Sequence, residues 1–525
     1  MDSKILRQKR EDFWLKHDHK YLPEVSLLSS KESTSMFNVA GMQQLIPYLS
    51  GKKHELGSRL FNIQKCIRTV DIDEVGDTSH LTFFEMMGNW SLGDYFKKES
   101  IMWSYEFLVN ELGFDPKKLA VTVFEGNNES PRDEESFKYR KEIGIPEDKI
   151  SFLGVKDNWR SPGPIGPCGP DTEIFYRVGD SNYPPIDSNV KTDEDNWMEI
   201  RNNVFMEYYR DESGKLTKLK NQNVDTGMGF ERMCAVLQNK ESIFDTDIFK
   251  PIIDLIQKYT GISYIGNEIR FRIVADHLRT ASLLLNDGAI PSNVGTGYVL
   301  RMIIRRMYYN LILLKDISEN DLKSFISHSL DFFSLNVRKL NINEIMTGFF
   351  GEINVFKTTI NRAIKILDEK IKNLPKNSLL DSKDVFFLYD TCGFPLELTK
   401  EICLENNIHI DEDAFKKELE NQKERSRKSA KFQKDIDWSK YLEGIPQTKF
   451  IAYDIEDDSY KNKKISLLKD FIVNQQRVLI FDQTPFYAES GGQKGDSGWI
   501  ELDNGERVKI KDVQKYEGVF LHLVD

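Results

Sequence analysis

The chain is poor in cysteine, and the five it has (Cys66, Cys168, Cys234, Cys392 and Cys403) are scattered without a CxxC pair among 525 residues. That spacing argues against a disulfide framework and against a cysteine-based zinc site, and it suits a reducing cytosol. Eight histidines, at 17, 19, 54, 80, 277, 328, 409 and 522, include no two that are four apart. No window approaches the roughly 18 uninterrupted apolar residues of a membrane helix. The first twenty residues are charged throughout, which fits neither a signal peptide nor an acid-poor transit peptide. Positive charge is also in deficit, with a formal net charge of −11. Indiscriminate nucleic-acid binders are usually basic, so a nucleic-acid partner would have to meet local patches.

What remains is a soluble globular composition, 40% hydrophobic and 30% charged, long enough for about three or four domains. Residues 1–245 alternate short β-rich runs such as "KLAVTVFEG" with amphipathic stretches. They lack the regular βα repeat and Gly-rich turn of a doubly wound fold, and an antiparallel sheet flanked by helices fits better. Residues 246–440 carry helical periodicity. Their last stretch, "DEDAFKKELENQKERSRKSAKFQKD", is highly charged and reads as a mobile helix or linker. From 441 alternation returns, broken by Gly, Asp and Asn turns, and suggests a small β-barrel.

Three clusters carry chemistry. "NVDTGMGFERM", Asn223 to Met233, begins as a strand and ends as a helix start. Period two places Asp225, Gly227 and Gly229 on one face. The glycines let a flat ligand approach, Asp225 suits an ammonium group, and Arg232 offers a planar fork for phosphate. A Gly-rich turn with a surface ion pair explains the same residues equally well. In "QKCIRTVDIDEVGDTSHLTFFEMMGNWSLGDYF" an arginine, Arg68, stands at the mouth of a hairpin whose returning strand brings Phe83, Phe84 and Glu85. One phenylalanine can stack on a ligand while the other packs inside, although two core phenylalanines are the simpler reading. "DNWRSPGPIGPCGPDTEIFY" is dense in proline and glycine. It is a stiff loop of the kind that lines sites, or a plain connector.

Together with "FNVAGMQQLIPYLSGKK", "NNVFMEYYRD", "VADHLRTASLLLNDGAIPSNVGTGYVLRMIIRRM", "LYDTCGFPLELT" and "TPFYAESGGQKGDSG", these strings resemble the alanyl-tRNA synthetases of class II over nearly the whole chain and in family order. The resemblance implies an α+β fold. A class II catalytic domain would occupy 1–245, a helical acceptor-stem recognition domain 246–440, and an incomplete β-barrel opening the editing region 441–525. It implies ligation of L-alanine to tRNA(Ala) through alanyl-adenylate, with ATP and Mg²⁺ and with no structural or editing zinc.

The same resemblance implies residue roles. Arg68 would contact the α-phosphate and Phe84 would stack on adenine. Glu85, Glu199, Gly229 and Arg232 would complete the ATP site, Arg232 near the γ-phosphate. Asp225 would take the α-ammonium, with Asn202, Gly227 and Trp159 around the amino acid. Asn293 and Asp390 would read the G·U pair of the acceptor stem. Arg301, Arg305 and Arg306 would hold phosphate, unless they form only a solvated basic helix face. No protein metal cluster is expected.

The chain departs from the family at four places. The loop before "TFF" lacks an arginine and has His80 nearby. The pocket tryptophan position falls on Arg160, with Trp159 one residue earlier. A tryptophan expected in "EIWN" is Arg201. The histidine and cysteine residues of the editing site have no counterpart, so the reading is of a short form, a cytoplasmic monomer that makes seryl- and glycyl-tRNA(Ala) and cannot clear them. A non-catalytic tRNA-binding paralogue and an acyl-adenylating enzyme with another acceptor are the competing readings.

Overall fold

The computed structural model describes the chain except residues 30–34, 162, 164, 179–182, 194–195, 337, 373, 391, 393, 420–438, 443, 452–464, 474–475, 487, 489–495, 503–504, 517 and 525. By internal contacts it divides into two units. One comprises Met1–Pro291 with Ile303–Phe350, the other Ser292–Met302 with Gly351–Asp525.

The first unit is built on a mixed sheet. Its described strands are β1 (Lys20–Tyr21), β2 (Arg59–Ile67), β3 (Phe83–Leu92), β4 (Leu119–Phe124), β5 (Ile150–Leu153), β6 (Trp159–Arg160), β7 (Gly166–Arg177), β8 (Trp197–Arg210) and β9 (Leu216–Gly229). The order is β1-β2-β3-β9-β8-β7-β4-β5, with β6 on β7. Only the edge pairs β1/β2 and β4/β5 are parallel. The antiparallel centre expected from the sequence is therefore present, and both edges are finished by a parallel strand.

The register fixes what shares a face. Across β7, β8 and β9 one row is Glu173, Asn202 and Gly227, and the next on the same face is Asp171, Val204 and Asp225. Across β3 and β9, Met86 lies opposite Gly229. Because successive side chains alternate, Phe84, Met86, Gly88 and Trp90 share one face of β3, and Phe83, Glu85 and Met87 share the other. Gly169 has to be glycine, since a Cβ there would come within 1.9 Å of the Phe205 carbonyl oxygen.

Helices follow where the 3.6 periodicity places them. Lys250–Thr260 buries Ile252, Ile253 and Ile256, and Gly261 ends it in the left-handed conformation (φ 70°), as helix C-termini commonly do. Glu268–Asn286 is apolar and buried along most of its length. Further helices span Gly295–Leu314, Glu319–Asn336, Ile342–Ile371, Ser382–Asp390 and Leu396–Glu405. The charged stretch read as a mobile helix or linker falls mostly outside the described residues.

Among the described residues no closed C-terminal barrel is present. The described strands make an open antiparallel sheet, in the order Leu467–Val473, Gln476–Phe481, Val519–Val524, Arg507–Tyr516, Gly498–Glu501. Its two outer strands, Leu467–Val473 and Gly498–Glu501, do not pair with each other. Apolar side chains pack on both faces, Leu479, Phe481 and Val513 on one and Val478, Ile480 and Leu521 on the other. Most of "TPFYAESGGQKGDSG" lies outside the described residues. Among the described residues no helix is long and apolar enough to cross a membrane.

Candidate active site

One cavity of about 330 Å³ opens on the face of the first unit's sheet that carries Phe84 and Gly227. Arg68, Phe84, Glu199, Asn202, Gly227, Gly229 and Arg232 all line it. Arg68 follows the last residue of β2, and its guanidinium lies 4.9 Å from the centre of the Phe84 ring. A cation beside a flat aromatic surface is what a nucleoside phosphate requires. Arg232 lies in the first turn of the Phe230–Leu237 helix. Its Nη1 donates to the Glu199 carbonyl at 2.9 Å, with the Glu199 carboxylate at 3.5 Å.

Elsewhere on the cavity wall the Gly227 amide donates to Asn202 Oδ1 at 2.6 Å, and a Cβ on Gly227 would sit 3.0 Å from that oxygen. The glycine thus keeps the floor low where the ligand must pass. Asp225 lies one step further along the same face, below the cavity lining and 8% exposed. Burial pushes its carboxyl up to about 7, against the opposing hydrogen bond from Trp90 Nε1 at 2.6 Å. A carboxylate so poised is stabilised by an incoming ammonium group.

The loop between β2 and β3 is anchored at both ends by buried groups. Arg306 Nη1 donates to the Ile72 carbonyl at 2.6 Å and Asp276 Oδ1 accepts from the Thr82 amide at 3.0 Å. His277 joins the two, with Nδ1 2.8 Å from Asp276 Oδ2 and Nε2 3.2 Å from Arg306. From this loop Asp71, Ser79 and His80 reach the cavity. His80 Nδ1 is 2.5 Å from Asp77 and Nε2 is 3.0 Å from Glu74. Burial opposes its charged form, but the hydrogen bond and charge of Asp77, with Glu74 and Asp71, outweigh it and raise the imidazole above its ordinary 6.5. The sequence offered His80 only as a neighbour of a missing arginine. Its place on the cavity wall adds an imidazole to the site, with a carboxylate against each ring nitrogen.

Several expected residues lie elsewhere. Glu85 does not line the cavity. It sits on the opposite face of β3, fully buried, where its carboxylate meets Arg7, Arg338 at 3.0 Å and Arg279 at 3.6 Å. Burial favours its neutral form, but the three guanidinium groups prevail and hold it well below the ordinary carboxylate value. Trp159 is packed against Phe124 and Tyr208, with ring centres at 5.3 and 5.8 Å. The next side chain on the strand points the other way, so Arg160 takes the cavity wall, with Nη2 2.5 Å from Glu173 Oε1 and Nε 3.4 Å from Asp171 Oδ2. Arg201 is turned away from the cavity too, into hydrogen bonds with Asn89 at 2.6 Å and Ser104 at 2.9 Å.

Arg305 and Arg306 are buried, so they do not form a phosphate-gripping surface with Arg301. In the second unit, Arg301 Nε is 3.1 Å from Glu352, and its Nη1 donates to Oδ1 of the exposed Asn293. Asp390 ends the helix Ser382–Asp390, and its side chain is outside the described residues. Among the described residues no group of three or more His, Cys, Asp or Glu could hold a metal ion.

The family profile described as tRNA synthetases class II (A) matches residues 6–525. The chain is 40% identical over 551 aligned residues to the alanine–tRNA ligase of Thermotoga petrophila, covering 100% of this chain and 61% of that protein. It is 43% identical over 440 residues to the alanine–tRNA ligase of Treponema denticola, covering 80% of this chain and 72% of that one. A third, from Fusobacterium nucleatum, is 37% identical, over 99% of this chain and 60% of the relative. The chain thus spans about three fifths of the length of the first and third of these relatives. A solved histidyl-tRNA synthetase from S. aureus aligns with 46% of this chain and 68% of its own, at 10% identity and a TM-score of 0.29.

Glu85→Gln is expected to destabilise the protein by about 3 kcal/mol or more, because three buried guanidinium groups lose their shared carboxylate. Denaturant unfolding at pH 7 checks this. Since folding depresses the carboxyl, its contribution is present above the ordinary value of 4.5 and is lost as pH falls through the lowered one.

Proposed function

The chain belongs to the class II (A) tRNA synthetases, and we propose that it joins L-alanine to tRNA(Ala) in two steps through alanyl-adenylate. The observation that carries this reading is the single cavity that gathers Arg68, Phe84, Asn202, Gly227 and Arg232, with Asp225 just beneath it. Nothing in an ordinary core requires two guanidinium groups, a bare ring face and a glycine floor in one cleft.

In the first step an oxygen of the alanine carboxylate attacks the α-phosphorus of ATP. The bond from that phosphorus to the bridging oxygen breaks, and pyrophosphate leaves. Phe84 carries the adenine ring, Arg68 meets charge developing on the α-phosphate, and Arg232 with His80 holds the departing phosphates. Asp225 and Asn202 fix the ammonium end, so the carboxylate is aligned before reaction. Mg²⁺ would share the phosphate charge. Glu199, a half-exposed carboxylate lining the cavity, is an oxygen ligand the chain would offer alongside the phosphates themselves. In the second step a terminal ribose hydroxyl of the tRNA attacks the alanyl carbonyl, and AMP leaves.

Residues 1–245 would carry this chemistry, 246–440 the acceptor-stem contacts, and 441–525 the start of an editing region. Asn293 would meet a groove edge of the G·U pair, its amide oriented by Arg301, which Glu352 backs in turn. Asp390 would be the second reader.

Alanine-dependent ATP–pyrophosphate exchange tests the reading. Arg68→Ala is expected to lower it by about 10²–10³, the loss typical of one preorganised charge-stabilising donor. Exchange that persists unchanged in Arg68→Ala would remove Arg68 from its role, and exchange absent from the wild-type chain would point to the non-catalytic alternative. A G·U acceptor-stem minihelix should be charged about tenfold or more better than its G·C counterpart, since one base-specific contact is worth roughly 1–3 kcal/mol. Equal charging would remove Asn293 from its role. His80 sets a pH dependence of opposite sense to a carboxylate. Its contact with phosphate is complete below the ordinary 6.5 and fades as pH rises through the raised value. The KM for ATP should therefore climb with pH, and His80→Gln should flatten that climb.

A further inference from the structure

Trp90 takes no part in the nucleotide site, yet it is the group that holds Asp225. Its indole is completely buried and lies in a slot made by two glycines. A Cβ on Gly88 would fall 2.5 Å from the ring, and one on Gly41 3.0 Å from it. Gly88 tolerates no side chain while the indole stays in place, and a side chain at Gly41 would press on the ring. The slot fixes the ring so that Nε1 donates to Asp225 Oδ1 at 2.6 Å. Around it pack Met42, Leu45, Leu49, Leu60 and Val204, all apolar.

Within this shell the carboxylate has few partners. Among the described residues Asp225 makes no ion pair. Along its face Asp171 stands in the same cross-strand row, and Arg160 pairs with both Asp171 and Glu173. A buried carboxylate with one strong donor and no countercharge is a receptor for a cation, and it will take a proton when no better cation is present.

We propose that Trp90 is a positioning residue of the amino-acid subsite: its indole N–H orients one oxygen of Asp225 and favours the ionised carboxylate that the substrate ammonium needs, so that amino-acid binding is linked to proton release. This rests on the ammonium role proposed for Asp225. The free site holds a proton on part of its Asp225 population near neutral pH, in keeping with a carboxyl raised to about 7 by burial. The incoming ammonium displaces that proton to solvent. The indole limits how far the carboxyl rises, because a hydrogen bond to the charged form stabilises that form alone. Phenylalanine at 90 would keep much of the ring packing and lose only the donor.

The test measures kcat/KM for alanine in ATP–pyrophosphate exchange from pH 5.5 to 9 for the full chain and for Trp90→Phe. The acid limb should move up by about one to two pH units, the worth of one hydrogen bond to a charged group. At pH 7 that is a loss of about five- to fiftyfold, recovered toward pH 9, with the KM for ATP unchanged. A loss equal at every pH, or an unmoved limb, overturns the proposal. Should Trp90→Phe fail to fold, calorimetric titration of the wild-type protein with alanine at pH 7, in two buffers of different ionisation enthalpy, gives the proton count. Net release supports the proposal and none overturns it. Absence of alanine-dependent exchange from the wild-type chain at every pH would instead overturn the functional reading, and this inference with it.

Discussion

On the side of the sheet away from the cavity, the Glu85 carboxylate gathers Arg7 from the Ser3–Lys16 helix, Arg279 from the Glu268–Asn286 helix, and Arg338. Glu231 supports the same knot. It accepts from Arg279 at 2.6 Å and from the Glu85 amide at 3.0 Å. Glu231 stands beside Arg232, and Glu85 beside Phe84, so each buried acid is the chain neighbour of a residue in the cavity. The ionic knot on one face of β3 therefore fixes the spacing of the cavity-facing groups on the other. Its charges are stable there because several segments converge to satisfy them, and loss of the shared acid would leave the cations facing one another in a dry interior.

Strand alternation then distributes the work. On β3 even positions face the cavity or the amino-acid end and odd positions face the knot. On β9 Asp225, Gly227 and Gly229 share the cavity side. On β6 Trp159 packs inward and Arg160 outward. The sheet acts as a partition with apolar and ionic packing below and the substrate groups above. The two ends of the loop between β2 and β3 are held by Asp276 and Arg306, which gives the cavity-lining His80 and Asp71 a fixed base.

Much of this was readable from the sequence. Period two alone places Asp225 with Gly227 and Gly229, and the helix-start pattern at "GFERM" places Arg232 at their end. The same rule applied to "TFFEMMGNW" from Phe84 would have put Glu85 on the opposite face and Trp90 on the catalytic one. The signal was present, but an acid in a functional motif invites a ligand role. Arg305 and Arg306 are a different case. Helical spacing shows that Arg301 and Arg305 share a face but not whether that face is covered, and burial under neighbouring segments is a property of the tertiary structure. The C-terminal strands show the same limit. Alternation identifies strands, whereas barrel closure depends on edge strands meeting, which no local pattern encodes.

The central claim is that one cleft takes an amine at Asp225 and a nucleotide between Arg68 and Arg232. A crystal structure of the chain with a non-hydrolysable alanyl-adenylate analogue tests it most directly. The account predicts the ammonium within hydrogen-bond distance of Asp225, the adenine ring on Phe84, and the phosphate surrogate beside Arg68. An analogue bound elsewhere, or bound in this cleft with its amine directed away from Asp225, would contradict it.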